Sequence, residues 1–306
     1  MKLINTLYYL IKPLLPRRFQ LWLRRSVINM KRHKYQEVWP ILEQAGSAPD
    51  GWQGWPQQKN FAVVLTHDVE TQLGHDRCLE VVKLEKERGF RSSFNFVPER
   101  YQVSPELRTE LTRLGFEVGV HGLNHDGKLF QNHKLFSERA VKINRYIENW
   151  GVEGFRAPAM HHNLDWIHQL NIQYDLSTFD TDPFEPQSDG VGTIFPFWVP
   201  NSNQVDGYVE MPYTLAQDFT PYVLMKEKDI TVWKEKVDWI AQKGGMVLVN
   251  THPDYFGFDA KLGLQEFPAH FYTDLLEYIR ETYQGAYWHA LPKEMAAFWK
   301  NTMISN

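Results

Sequence analysis

Between residues 60 and 300, short apolar runs alternate with longer stretches whose apolar positions recur every three or four residues. The short runs predict strands over Phe61–Thr66, Ser92–Val97, Phe116–His121, Gly154–Arg156, Tyr174–Phe179, Tyr208–Tyr213, Met246–Thr251 and Ala286–His289. The longer stretches predict helices over 76–88, 104–114, 134–150, 163–170, 231–243, 269–283 and 293–300. Ser104-Pro105-Glu106 marks one helix start, with a hydroxyl to cap it and proline in the first turn. Strands alternating with helices imply a parallel sheet joined by helical crossovers. No strand is followed by G-x-G-x-x-G or G-x-x-x-x-G-K-[ST], so a nucleotide-binding open sheet is disfavoured. The pattern predicts an α/β fold, an irregular (β/α) barrel of about seven or eight parallel strands. Residues 180–207 carry no clear period and read as a long loop-like insertion.

Ahead of this body, residues 47–59 are rich in Gly, Pro and polar side chains and read as a linker. The chain therefore divides into a basic, partly amphipathic helical extension (1–46), the linker (47–59) and the barrel (60–300). Residues 3–15 are apolar but broken by Lys12 and Pro13, and Pro16-Arg17-Arg18 follows where a signal peptide would have its small-residue cleavage site. A cytoplasmic location is the expectation. Dibasic pairs then recur at 17–18, 24–25 and 31–32, a spacing that lays them on one helical stripe. Phe19, Trp22, Leu23, Val27 and Met30 fall roughly opposite it, while Leu21 and Ile28 lie within it. Two readings fit this pattern. One is a helix lying on an anionic membrane surface, peripheral on the inner face; the other is a helix packed on the body with its arginines solvated.

Charge sharpens the division. The 306 residues include 37 acidic and 33 basic ones, for a net charge of −4. Nine of the basic residues lie in 1–36, which holds no acid, so the remaining 24 face all 37 acidic residues. An acidic body argues against nucleic acid as a partner. Hydrophobic residues, at 43%, suffice for a large core, and no run of about 18 apolar residues suggests a transmembrane helix. Cys78 is the single cysteine, which excludes a disulfide framework and a multi-cysteine zinc site. Any metal must rest on histidine and carboxylate.

In a β/α barrel, chemistry gathers at the carboxyl ends of the strands. Those positions hold Thr66-His67-Asp68-Val69-Glu70, His121-Gly122-Leu123-Asn124-His125-Asp126, Arg156-Ala157-Pro158-Ala159, Asp180-Thr181-Asp182 and Thr251-His252-Pro253-Asp254. His121 and His125, four apart on a helical turn, could present two imidazoles to one metal. Asp68 or Glu70 would complete a two-histidine, one-carboxylate set with open coordination positions. A separation beyond about 6 Å from both histidines would exclude Glu70, because metal–ligand bonds run about 2.0–2.2 Å. His67 reads as a packing residue. Asp254 either caps a turn or joins the chemistry, and His161 and His162 either line a cleft or are structural. Phe184 and Trp198, within the 180–207 insertion, are the aromatic candidates for substrate contact.

The order and spacing of these five motifs, from Phe61 to His289, resemble the polysaccharide deacetylases of the NodB-homology group, carbohydrate esterase family 4. The resemblance implies Asp68 as catalytic base and Glu70, His121 and His125 as ligands of a divalent metal, zinc above all, with cobalt or nickel as alternatives. The usual Asp-Asp pair is here Asp68-Val69-Glu70, so the converse assignment, Asp68 as ligand and Glu70 outside the coordination shell, stays open. Arg156 would orient the base, the backbone N–H of Ala159 would stabilise the oxyanion, and His252 would act as general acid. Asp180 or Asp182 would hold His252 protonated, and Asp182, His161 and Trp198 join Ala159 as expected substrate-binding residues. The implied activity is removal of N-acetyl groups from a carbohydrate, polymeric or lipid-linked. Hydrolysis of another linear or cyclic amide at the same site, and a catalytically silent carbohydrate-binding or scaffold protein, are the rival readings.

Overall fold

Strand β1 (Phe61–Val69) sets the centre of the molecule: all nine of its residues are buried. An unbroken buried run is what a parallel strand needs when both faces of its sheet are covered. The computed structural model describes residues 16–202 and 206–304. The apolar segment 3–15 therefore lies outside the described residues.

Around β1 the strands β2 (Ser93–Phe96), β3 (Glu117–His121), β4 (Gly154–Arg156), β5 (Tyr174–Asp175), β6 (Phe197–Pro200), β7 (Gly207–Glu210), β8 (Met246–Thr251) and β11 (Tyr287–His289) form one sheet. The order runs β11-β1-β2-β3-β4-β5-β7-β6, with β8 on the other side of β1. Every pairing but one is parallel; β6 runs antiparallel to β7 at the edge. Beyond β7 the chain pairs Tyr213 with Phe179 and hydrogen-bonds Thr214 N–H to the Leu248 carbonyl of β8. That contact curls the sheet round on itself, giving the irregular (β/α) barrel that the strand–helix alternation predicts. Two further strands, β9 (Phe256–Gly257) and β10 (Phe267–Pro268), pair apart from the main sheet.

The helices are α1 (Arg17–Arg32), α2 (Gln72–Lys86), α3 (Pro105–Arg113), α4 (His133–Trp150), α5 (Leu164–Ile167), α6 (Thr231–Lys243), α7 (His270–Thr282) and α8 (Pro292–Trp299). Ser104 caps its helix as the sequence indicates, and Thr71 and Asn132 do the same for theirs, each accepting a backbone N–H from the first turn. Among the described residues, no helix is long and apolar enough to cross a membrane.

Two departures from the sequence reading have simple causes. The 180–207 insertion contains β6, Phe-Trp-Val-Pro, whose proline suits an edge strand and hides it from a period count. The predicted strand Tyr174–Phe179 pairs regularly over only Tyr174–Asp175, because its continuation turns toward Tyr213. Residues 47–59 are docked on the barrel: Trp55 is buried and donates its indole N–H to the Gly244 carbonyl at 2.8 Å.

Helix α1 is docked too, by its basic stripe. Leu21 and Ile28, inside that stripe, are buried. Arg25 donates to the Val223 carbonyl at 3.0 and 3.2 Å, Arg32 pairs with Glu227 at 2.6 Å, and Arg17 donates to Gln265 at 2.9 Å. These arginines are bonded to the body rather than merely solvated. On the opposite face Phe19, Trp22, Val27 and Met30 are exposed, and Leu23 and Val27 also border a cavity over the barrel.

Candidate active site

Period-two alternation along β1 separates two histidine–carboxylate clusters. His67 lies between sheet and helices, its Nδ1 2.7 Å from Thr251 Oγ1 and its Nε2 2.7 Å from Glu85 Oε1. Glu85 also accepts from Ser92 and Tyr272 hydroxyls, so the cluster is a closed structural network. Asp68, the next residue, accepts Asn95 Nδ2 at 3.1 Å and Asn250 Nδ2 at 3.0 Å, with Arg156 Nη1 at 3.5 Å. Burial would raise the Asp68 carboxyl, but the Arg156 guanidinium, then His121 and His252, override it and hold it down at about 2. Its donors come from β2, β4 and β8, the strands that the curl wraps around β1.

Glu70, just past β1, lies 3.0 Å from His125 Nε2, well inside the distance at which it would have ceased to be a candidate ligand. Asp254 fixes this turn by accepting the Glu70 N–H at 2.9 Å and the Thr71 hydroxyl, and Tyr255 Oη donates to Glu70 Oε2 at 2.8 Å. Asp254 is thus a cap that aims Glu70. His121 ends β3, and its Nδ1 lies 3.2 Å from the Arg156 carbonyl. The imidazole pair does not converge by helical spacing. His121 is in extended strand, Gly122 and His125 have φ of 62° and 54°, and this left-handed turn swings the second ring to 5.1 Å from the first. Gly122 has a second reason to be glycine, since a Cβ there would sit 2.4 Å from Pro158 Cγ.

The ligand atoms of Glu70, His121 and His125 all lie within 4.8 Å of one another. Two features fit this trio to a cation. His125 Nε2 is buried with no well-aligned hydrogen bond, while a Glu70 carboxylate oxygen lies 3.0 Å away, so both atoms are placed to face one ion. His121 can donate Nδ1–H to the Arg156 carbonyl, which leaves Nε2 as the free lone pair, and burial lowers its pKa to about 4, favouring the neutral ligand form. Asp68 stands outside the trio, its Oδ2 3.9 Å from His121 Nε2 and both oxygens taken by amide or guanidinium donors.

Across the cavity, His252 follows β8. Its Nδ1 is 2.7 Å from Asp218 Oδ1, and its backbone N–H donates to Asp218 Oδ2 at 2.8 Å. Burial works against the charged ring, yet Asp218, with Glu70 and Asp68 beyond it, raises the imidazolium to about 10. This corrects the expectation that Asp180 or Asp182 holds His252. Asp180 instead pairs with Lys236 Nζ at 2.5 Å, and burial still leaves it raised to about 6. Asp182 accepts the Phe184 N–H and the Tyr213 hydroxyl, and burial beside Glu185 raises it. Asp218 sits in the run Thr214–Asp218 beyond a predicted strand; the strand-end logic that located the other acids reaches it as well.

A cavity of about 1180 Å³ opens over these groups, lined by Asp68, Glu70, His121, His125 and His252 among others. Ala159 lines it with a φ of 56°, and so does Phe184, packed edge-on against Trp39 at 5.2 Å. Trp198 does not; it lies on edge strand β6 with Lys300 over its ring at 5.7 Å. Nor does Asp182, which is buried behind Tyr213. His161 lines a small adjoining pocket beside His125 and Pro158 rather than the main cavity.

No family model matches the chain, and no curated protein matches it significantly. Solved structures do. One named as a polysaccharide deacetylase from Mycobacterium smegmatis superposes with TM-score 0.63 over 83% of this chain and 95% of its own, at 16% identity. An allantoinase superposes at 0.64 over 86% and 98%, with 14% identity. The chain has the polysaccharide-deacetylase fold. Another protein named as a deacetylase of this kind, from Pseudomonas aeruginosa PAO1, agrees at TM-score 0.61 over 81% and 93%, at 16% identity. The same fold is thus shared by proteins named as deacetylases and by one named as an allantoinase.

Proposed function

We propose that the protein is a metal-dependent hydrolase that removes N-acetyl groups from a carbohydrate. One observation carries this reading: Asp68, paired with Arg156, and His252, paired with Asp218, line the same cavity as the Glu70–His121–His125 trio. Glu70, His121 and His125 would hold the divalent ion. Zinc suits two imidazoles and a carboxylate, and cobalt or nickel would also fit. Such an ion supplies Lewis acidity, polarising a carbonyl and acidifying a water.

The chain's own groups account for the rest. Asp68 takes the proton of the attacking water as its oxygen bonds to the acyl carbon, and Arg156 keeps Asp68 ionised until then. The Ala159 backbone N–H would donate to the carbonyl oxygen as negative charge develops there. An amine leaves poorly until protonated; His252 gives its proton to the nitrogen as the C–N bond breaks, releasing acetate and a free amino sugar. Asp218 steadies the imidazolium and fixes its ring.

Acetate release from N-acetylated oligosaccharides, measured with metal-loaded protein and with His121→Ala, tests the reading. Metal-dependent acetate release by wild type alone is expected. No release after metal addition would overturn it, and ring opening of a cyclic amide instead would favour the rival amide substrate.

A further inference from the structure

Eleven large hydrophobic side chains are exposed among the described residues, and eight of them sit on three segments that border the active-site cavity. Four are on α1: Phe19, Trp22, Val27 and Met30, of which Met30 is 72% exposed and Trp22 57%. Leu73 is in the first turn of α2, and the loop between β9 and β10 carries Phe258, Leu262 and Leu264. Val27, Leu73 and Leu264 line the cavity itself, so the apolar rim and the mouth of the site are continuous. Arg17 of α1 donates to Gln265 of the loop, tying two of the three segments together.

Exposed apolar residues clustered in this way mark a contact surface, since isolated ones would be scattered over the molecule. The face on α1 is ordered, with Phe19 and Trp22 stacked at 5.5 Å. Its charges identify the partner. Residues 17–36 hold seven Lys or Arg and no acid, in a protein whose remainder is acidic; Arg17, Arg25 and Arg32 are bonded to the body, while Arg18, Lys31 and Lys34 are exposed. By helical geometry Arg18 and Lys31 flank the apolar face on either side, and both are exposed. An apolar stripe between long cationic side chains matches an anionic lipid surface: the rings and aliphatic groups enter the acyl boundary while the charged ends reach phosphate. Arg24, Lys31 and Arg100 line the cavity, together with the acids Glu185, Asp254 and Glu266.

We infer that the rim of the cavity, formed by α1, Leu73 and the β9–β10 loop, docks on an anionic lipid bilayer and turns the mouth of the site toward its headgroups. The docking does not depend on the hydrolase reading. If both hold, the substrate is a sugar amide carried at the membrane surface.

Co-sedimentation of the full chain at low ionic strength, with vesicles of phosphatidylcholine alone and of phosphatidylcholine with phosphatidylglycerol, tests it. Wild type is expected to sediment with the phosphatidylglycerol vesicles only, and to be released by added salt. The double variants Trp22→Ser/Met30→Ser and Phe258→Ser/Leu262→Ser change exposed residues that do not line the cavity, and each should weaken partitioning by about tenfold or more. His121→Ala should sediment as wild type does, which separates docking from chemistry. Unchanged melting temperatures would show that the double variants fold. No sedimentation of wild type with phosphatidylglycerol vesicles, equal sedimentation with phosphatidylcholine alone, or unweakened binding by both double variants would overturn the inference.

Discussion

Asp68 and His252 line one cavity and are both buried, yet they hold opposite charges. Burial pushes each toward neutrality. What differs is the partner: the Arg156 guanidinium on the β4 side keeps a carboxylate ionised, and the Asp218 carboxylate beyond β7 keeps an imidazole protonated. The site therefore provides a base and an acid at the same pH by pairing each with a buried group of opposite sign. The Glu70–His121–His125 trio belongs to neither pair, which leaves both free to move protons.

The strongest way to break this comparison is to remove the base. Asp68→Asn keeps the shape and abolishes proton acceptance, and a rate loss near 10⁴-fold is expected, the upper end for a general base. Single-turnover acetate release would measure it. The acid side should follow with a smaller loss. Asp218→Asn removes the charge that raises His252, so its pKa falls from about 10 toward the ordinary imidazole range. Activity needs Asp68 ionised, His121 neutral and His252 protonated; the wild-type rate should be flat across neutrality, fall through about pH 10, and fall on the acid side by about pH 4, where His121 also takes up a proton. In Asp218→Asn the alkaline fall moves to lower pH, with about a 10²-fold loss on the plateau. A pH–rate profile of both proteins reads this shift.

The five residues Asp68, Glu70, His121, His125 and Arg156 are legible because each lies at or just past the carboxyl end of a predicted strand, and strands β1, β3 and β4 lie close together in the sheet order. Their convergence needs little beyond counting strand ends. Reaching the pairing of His252 requires knowing that the chain after β7 folds back against β8, a contact 34 residues apart that no local pattern announces. Asp180 shows the same limit: its partner Lys236 comes from α6, 56 residues on. The turn that brings His125 to His121 uses positive φ at a non-glycine residue, which the spacing of two histidines does not encode. Edge strand β6 is missed because Pro200 and an unpaired side blur its period.

Smaller effects sharpen the comparison. Arg156→Met leaves Asp68 buried among neutral amides. Thermal unfolding should lose about 3–5 kcal/mol of stability, the usual cost of stranding one partner of a buried ion pair, and the acid limb of the rate profile should move up. Trp198→Ala sits outside the cavity and should leave KM for an N-acetylated sugar within about twofold, measured by steady-state kinetics. Phe184→Ala, inside it, should raise KM more.

The opposed pairing itself is read most directly by titrating the His252 ring in the full-length protein by nuclear magnetic resonance, assigned by its loss in His252→Gln. The account expects the wild-type ring to stay protonated through neutrality and titrate near pH 10, and to titrate markedly lower in Asp218→Asn. A wild-type ring that titrates near 6.5, unmoved by Asp218→Asn, would contradict it.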